Sequence, residues 1–252
     1  MERTGILPVS SMLLLALITC GCWIWDGSDI VSPAGFNEIT GSGQIATQSR
    51  VVTGFQAVDL SLGSLYITLG PREELRIIAE DNLIPYLTTD VITGSLVLAV
   101  QPQVSLRPTR PIEFHLTAPA LEHISISGSG NVAWPGATVD RLALGISGSG
   151  SIELFDLVAN WLDATISGSG HIRVSGRVID QRISISGSGS YGADDLSSVT
   201  AAVQISGSGS ATIWVSDSLV AGISGSGSVY YYGNPIVAGT ISGSGRIIPL
   251  GS

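Results

Sequence analysis

The sequence predicts an all-β solenoid, a rod built from stacked β-rungs of 18 to 20 residues each. Three observations predict it. The pentapeptide Ile-Ser-Gly-Ser-Gly occurs seven times, its copies follow one another at steps of 18 to 20 residues, and apolar residues alternate with polar ones around each copy. Period-two alternation indicates strands with one buried face. The copies open at Ile126, Ile146, Ile166, Ile185, Ile205, Ile223 and Ile241.

The residues between the copies keep the same register, which separates a rung from a flexible linker. Aliphatic residues occupy most positions two before and six after each leading Ile, and Gln181 is a polar exception four residues before its copy. A Gly-Ser linker is the alternative interpretation of the pentapeptide. However, hydrophobic residues make up 44% of the chain, and disordered linkers do not keep such columns. We therefore expect a packed interior rather than a pore.

The first residues look like an export signal. Residues 1–22 contain Arg3 and then a short apolar run from Met12 to Ile18. This run is short for a membrane span, and an uncleaved anchor is the alternative. We expect the protein to be exported and held in the bacterial envelope or at the cell surface.

Cys20 and Cys22, the two cysteines of the chain, end this segment in a pattern that resembles a bacterial lipobox. Cys20 has Leu17 three positions before it but Thr19 directly before it. Cys22 has Gly21 directly before it but Thr19 three positions back. One of the two cysteines is predicted to carry the lipid, and the pattern leaves open which one. The alternative is a signal without lipid.

The rest of the chain divides into a tether and one β-helix domain. Residues 23–38 lack a period and carry turn formers, so we interpret them as the tether. The β-helix domain is predicted over residues 39–252, with less regular rungs over 39–124 and regular rungs over 124–252. The pattern leaves open whether the strands before residue 124 belong to the same solenoid or form a cap.

Charge and composition exclude several classes of function. The formal net charge is −9, and all basic residues are Arg, so no basic stripe is available for nucleic acid. His115, His123 and His171 share no metal-ligand spacing, and no cysteine follows residue 22. We expect neither a metal site nor a cofactor.

Several segments together resemble one known family. They are Gly41-Ser42-Gly43, the run from Arg50 to Val58, Glu80-Asp81-Asn82-Leu83, Gly94-Ser95-Leu96 and the recurring Ser-Gly-Ser-Gly. This combination resembles the bacterial DUF2807 family, whose members are described as "putative auto-transporter adhesin" head GIN domains. The resemblance covers roughly residues 39 to 252. It implies a right-handed single-stranded parallel β-helix, exported and often lipid-anchored, with no established catalytic residues.

The strongest candidate site is a pair of serine rows. If each leading Ile points inward, the serines one and three positions later point outward, with neighbours about 4.8 Å apart along the rod. Such a face could bind a repetitive ligand, either a surface glycan or an envelope protein. The alternative is a ladder in which the hydroxyls bond one another or water. The first row is Ser127, Ser147, Ser167, Ser186, Ser206, Ser224 and Ser242, and the second is Ser129, Ser149, Ser169, Ser188, Ser208, Ser226 and Ser244.

A second candidate is an aromatic patch of Trp214, Tyr230 and Tyr232. Asp194, Trp214 and Tyr232 each stand nine residues after a leading Ile, which places them in one predicted column. Aromatic rings on a polar surface can hold sugars. Ordinary packing over the turns is the alternative.

The function that the sequence favours is a non-catalytic adhesin or envelope-binding module. The alternative is a polysaccharide-processing β-helix enzyme, a lyase or a glycosidase, which would need converging carboxylates. The adjacent acids are dispersed along the chain, so no catalytic residue is predicted. The pairs are Glu73-Glu74, Glu80-Asp81 and Asp194-Asp195.

Overall fold

The structure is a computed structural model, and it describes residues 37–251. Within this range the chain forms twenty β-strands and one 3₁₀ turn at Ile84–Tyr86, with no α-helix. No helix of the described range has the length and apolar character needed to cross a membrane. The strands are β1 (Asn37–Thr40), β2 (Ile45–Arg50), β3 (Ala57–Leu60), β4 (Ser64–Leu69), β5 (Glu74–Glu80), β6 (Leu87–Ile92), β7 (Ser95–Val100), β8 (Val104–Arg107), β9 (Glu113–Ala118), β10 (His123–Ile126), β11 (Asn131–Trp134), β12 (Ala137–Thr138), β13 (Arg141–Gly148), β14 (Ser151–Gly168), β15 (His171–Gly187), β16 (Ser190–Gly207), β17 (Ser210–Gly225), β18 (Ser228–Tyr232), β19 (Ile236–Gly243) and β20 (Arg246–Gly251).

The regular repeats stack in parallel and in register. Strands β13 to β17 pair with one another in sequence order, and β18, β19 and β20 continue the stack. The pentapeptides coincide at every step, so that Ile146 aligns with Ile166 and Ile166 with Ile185. The result is a β-solenoid of about 6 turns, which confirms the predicted fold class.

The interior consists of aliphatic columns that run along the rod. The leading Ile of the first six copies is between 0% and 3% exposed. Each such side chain contributes roughly 1.5–3 kcal/mol of burial. Ile241 in the last rung is 44% exposed, because no later rung of the described range lies on it. Burial in this fold therefore depends on having a neighbour on both sides.

The two glycines of each pentapeptide are required by close contact between rungs. Gly168 has φ of +134°, and a Cβ there would lie 2.4 Å from the carbonyl oxygen of Gly148 in the preceding rung. A Cβ at Gly170 would lie 2.5 Å from Cγ2 of Ile146. Between the two glycines, the amide of Ser169 donates to the oxygen of Gly148 at 2.9 Å. The repeated Ser-Gly-Ser-Gly is thus a tight corner whose backbone is bonded from rung to rung.

Parallel stacking continues into the less regular part, but in a different chain order. Strand β3 pairs in parallel with β10 and β7, and β4 pairs in parallel with β11 and β9. The layer formed by β7 and β9 therefore lies beneath the layer of β3 and β4, although it follows that layer in the sequence. Strands β5 and β6 then pair antiparallel with β9 and β7, and β2 pairs antiparallel with β5. This end of the stack is covered by antiparallel strands.

The start of the described chain is also ordered. Strand β1 begins at Asn37 and pairs in parallel with β8, from Asn37 with Val104 to Thr40 with Arg107. This is two residues before Ile39, where the β-helix domain was predicted to begin. The predicted signal over residues 1–22, Cys20, Cys22 and the tether up to residue 36 lie outside the described residues.

A polar network lies inside the apolar interior and accounts for Gln181. The Tyr191 hydroxyl donates to Gln181 Oε1 at 3.1 Å, and Gln181 Nε2 donates to Ser198 Oγ at 2.8 Å. Ser198 Oγ donates in turn to the backbone oxygen of Trp214 at 2.7 Å. Burial raises the pKa of Tyr191 and keeps its hydroxyl neutral. Because the members satisfy one another, the interior tolerates these polar groups.

Candidate functional site

The serine rows lie on the surface of the solenoid. All fourteen serines of the two rows are exposed, while the residues on either side of each pair point inward or pack against the next corner. In the first row Ser147 aligns with Ser167, and the pairing continues in register to Ser242. Backbone hydrogen bonds between successive corners hold this register: the amide of Ser188, for example, donates to the carbonyl oxygen of Gly168 at 2.9 Å, and the glycines leave room for that close approach. The rows run side by side along the rod.

Few partners engage these hydroxyls. Between residues 37 and 251, the one side-chain hydrogen bond of a row serine joins Ser127 Oγ and Ser61 Oγ at 3.3 Å. Ser61 continues the first row by one rung, because Leu60 aligns with Ile126. Ser61 is not among the serines predicted for the row. Its signal in the sequence was the degenerate corner Leu60-Ser61-Leu62-Gly63, in which Leu replaces the leading Ile and the corner is one residue shorter than in the pentapeptide.

A groove opens beside the first row, on the outward face of the strand segments that precede each pentapeptide. Its wider part has a volume of about 850 Å³, and Ser224 and Ser242 lie at its rim. A narrower part of about 340 Å³ adjoins it and shares Arg182, Ala202 and Val220 with it. We call the two parts together the outer groove. It extends from Arg141 in β13 to Thr240 in β19.

Small residues form the floor of the wider part. Ala202, Val220 and Ala238 align across three rungs, and Gln204, Gly222 and Thr240 align beside them. A Cβ at Gly222 would lie 2.2 Å from Gln204 Oε1, so the Gln204 amide rests over Gly222. The floor therefore presents one amide among apolar surface.

Charged and aromatic side chains line the narrower part. The Trp161 side chain is 46% exposed, and the Arg141 guanidinium lies over its ring at 5.5 Å from the centroid. Asp163 aligns with Arg182 in the next rung. Asp180 accepts a hydrogen bond from the hydroxyl of Thr200. This groove was not predicted from the sequence, because the residues that line it are not the same from one repeat to the next.

The predicted aromatic patch forms in part. Trp214 aligns with Tyr232, and Tyr230 aligns with Thr212 in the same pair of rungs; all three aromatic side chains are half-buried. Asp194 does not join their column, because the pairing jumps from Ala193 to Ser197 and places Ser197 beside Trp214. The rung that ends at Ile223 is two residues shorter than the one before it. This jump leaves three residues of the longer rung without partners, and a second shift, between Ser198 and Thr200, takes one residue back.

The acidic pairs lie apart, and a member of each has a local structural partner. Glu73 accepts the Gly54 amide at 2.9 Å, and Asp195 Oδ2 lies 3.8 Å from Arg173 Nη2. No group of three or more His, Cys, Asp or Glu within the described range is arranged to hold a metal ion. These acids do not form a convergent site.

Glu80, the last residue of β5, is fully buried where two of the segments that carried the family resemblance meet. Its carboxylate accepts the Gly43 amide at 2.6 Å, the Thr109 amide at 2.8 Å and the Thr109 hydroxyl at 2.6 Å. Hydrogen bonds, first that from the Thr109 hydroxyl, lower the pKa of Glu80 against the opposing effect of burial. Next to it, Asn82 Oδ1 accepts the Ser42 amide at 2.9 Å. Glu80 thus holds the loop before β2 in place.

Comparisons with known proteins agree with this architecture. The family model for DUF2807, described as "Putative auto-transporter adhesin, head GIN domain", matches residues 54–235. A "putative adhesin" from Bacteroides fragilis NCTC 9343 is 25% identical, with a TM-score of 0.80, over 84% of this chain and 100% of that chain. No curated protein matches the chain.

Two further solved structures share the fold. A "Putative lipid binding protein" from Parabacteroides distasonis ATCC 8503 is 24% identical, with a TM-score of 0.69, over 85% of this chain and 100% of that chain. A "putative adhesin" from the same organism is 20% identical, with a TM-score of 0.66, over the same shares of the two chains.

Proposed function

The chain belongs to the DUF2807 family, whose description is "Putative auto-transporter adhesin, head GIN domain". From this premise we propose that it is a non-catalytic, exported cell-surface protein that binds envelope or surface components through the outer face of its solenoid. The observation that carries the proposal is the run of exposed serine hydroxyls beside the outer groove. A broad, repeated surface suits a repetitive ligand, whereas an enzyme needs a single cluster of reactive groups. The likeness to the "putative adhesin" from Bacteroides fragilis supports the same class of function.

The proposed attachment to the membrane is a lipid on Cys20 or Cys22. A single acyl-bearing cysteine after the export signal would tether the rod while its outer face remains free. Labelling with radioactive palmitate in a bacterial host tests this. We expect label on the full chain and loss of the label in one of the two variants Cys20→Ala and Cys22→Ala. An unlabelled full chain would rule the anchor out.

The enzymatic alternative has little support in the site. A lyase or glycosidase requires carboxylates that converge on one substrate, yet Glu73, Glu80 and Asp195 each engage a separate partner within the fold. We therefore do not extend the proposal to catalysis.

A binding assay on whole envelopes tests the outer face. Purified full chain is incubated with intact cells, isolated outer membranes and peptidoglycan, and the bound fraction is measured. We expect saturable binding to at least one of them. The double variant Ser206→Ala/Ser224→Ala, in the first serine row, should bind at least about fivefold more weakly, since each lost hydroxyl contact removes about 0.5–1.5 kcal/mol.

The matched control is Ser197→Ala/Ser216→Ala, which alters two exposed serines outside the rows. It should bind as the unaltered chain does. Failure of the unaltered chain to bind any of the three preparations would contradict the proposed function, and an equal loss in both double variants would contradict the role of the serine row.

A further inference from the structure

The charges of the outer groove balance one another. Two positive side chains, Arg141 and Arg182, and two negative ones, Asp163 and Asp180, line its narrower part, although the net charge of the whole chain is −9. Asp163 and Arg182 are register neighbours, yet no ion pair of the described range joins them. A polyanion would meet the two carboxylates and a polycation the two guanidinium groups. The lining therefore favours an uncharged ligand with many hydrogen-bonding groups.

Apolar surface lies between these polar groups. Trp161 is 46% exposed at one end, and Val220 is 56% exposed over the floor of the wider part. In the same lining, the Gln204 amide, the Thr200 hydroxyl and the serines at the rim offer donors and acceptors. Sugar rings combine an apolar C–H face with a rim of hydroxyls, and they require this mixture of aromatic or aliphatic surface with planar polar side chains.

The direction of the groove matches a linear polymer. It crosses β13, β14, β15, β16, β17 and β19, and five steps of about 4.8 Å give a length of roughly 24 Å along the rod. Several consecutive sugar units fit in this length. A compact small molecule would fill only a fraction of it.

We propose that the outer groove binds a neutral linear glycan that lies along the axis of the solenoid, and this inference rests on the proposed function of the outer face. Trp161 contacts the C–H face of one unit, and Asp163 in the same strand bonds its hydroxyls. Arg182 and Gln204, in the next two strands, bond the hydroxyls of the units that follow. Ser224 and Ser242 at the rim bond the same chain from the side, which joins the first serine row to the groove.

Calorimetric titration of the purified full chain in a detergent without a sugar headgroup tests the proposal. The probes are linear hexasaccharides of β-1,4-glucose, α-1,4-glucose, β-1,4-N-acetylglucosamine and β-1,4-mannose, with hexasaccharides of hyaluronan and heparin as charged comparisons. We expect at least one neutral probe to bind more tightly than both charged probes.

Two variants assign the binding to the groove. Val220→Arg places a long cation over the floor and should weaken binding at least tenfold. Trp161→Ala should weaken it about five- to tenfold through loss of the aromatic surface. The control is Val199→Arg, at a valine that is 43% exposed and does not line the groove; it should change binding less than twofold. Thermal unfolding of each variant confirms that it is folded.

The outcomes separate the two proposals. Absence of binding to every neutral probe, preference for a charged probe, or equal loss in Val220→Arg and Val199→Arg would overturn the glycan groove. If the chain then still binds envelopes, the proposed function stands without it. If it binds neither envelopes nor saccharides, both fail.

Discussion

Gly41 lies against the carboxylate of Glu80, so closely that a Cβ at residue 41 would fall 2.0 Å from Glu80 Oε2. The same carboxylate accepts hydrogen bonds from Gly43 on one side and Thr109 on the other. Three segments that are distant in the sequence therefore meet at one buried charge. Through β2 and β5, this contact belongs to the antiparallel strands at one end of the stack.

We expect Gly41→Ala to destabilise this end of the protein, because the added methyl group displaces the Glu80 carboxylate from its donors. The midpoint of urea unfolding should fall clearly. Gly136→Ala is the control, since no atom would lie within 4 Å of its Cβ and its φ is not in the left-handed region. Equal midpoints for the two variants would show that the contact with Glu80 does not matter.

The lowered pKa of Glu80 predicts how stability depends on pH. The unfolded chain takes up the proton near the ordinary pKa of a glutamate, about 4.3, whereas hydrogen bonds to the carboxylate hold it ionised to lower pH in the folded chain. The stabilisation is therefore complete well above pH 4.3 and is lost as the pH falls through the lower folded pKa. The difference in unfolding free energy between the unaltered chain and Glu80→Gln should shrink from pH 7 to pH 3. A difference that stays constant over this range would contradict the assignment.

The polar network in the interior predicts an asymmetric response to mutation. Tyr191→Phe removes the hydroxyl that donates to Gln181 Oε1 and leaves this buried oxygen without that hydrogen bond. We therefore expect the unfolding free energy to fall by about 1–3 kcal/mol. Adding Gln181→Met to this variant should lower the unfolding free energy by less than Gln181→Met does in the unaltered chain, since it removes the amide that was left unsatisfied. Additive losses in a double-mutant cycle, measured by urea unfolding, would show that the two side chains are not coupled.

The corner of each rung predicts a sharp contrast between adjacent residues. Gly187→Ala should lower the unfolding free energy by about 3 kcal/mol or more, because φ is +123° and a Cβ would lie 2.5 Å from the oxygen of Gly168. Its neighbour Ser188 is exposed, and Ser188→Ala should change stability by no more than about 0.5 kcal/mol. A loss of unfolding free energy as small for Gly187→Ala as for Ser188→Ala would mean that neighbouring rungs can move apart at the corner at little cost.

The regular rungs could be predicted from the sequence because the leading Ile and the two corner glycines recur in every copy. Periodicity could not reveal that β7 and β9 lie beneath β3 and β4, since that pairing joins irregular segments out of chain order. The position of the pairing jump at Ala193 could not be predicted either, because a difference in rung length does not show where in the rung the extra residues lie.

The candidate site, too, could be predicted from the sequence only in part. Exposure of the serine rows follows from alternation, which is a local property of a strand. The outer groove depends on side-chain size across several rungs, with Ala202, Gly222 and Ala238 leaving space that larger residues elsewhere fill. Gln181 was visible as an anomaly in its column, but its partners Tyr191 and Ser198 could be identified only from the packed interior.

Each inner corner is bonded to the corner before it and to the corner after it, as the amides of Ser169 and Ser188 show for the corner at Gly168. Insertion or deletion of one whole repeat would therefore leave every remaining contact between corners intact. Such a change would also lengthen or shorten the outer groove by the height of one rung. The number of pentapeptide copies would then set the length of the polymer segment that the protein can bind.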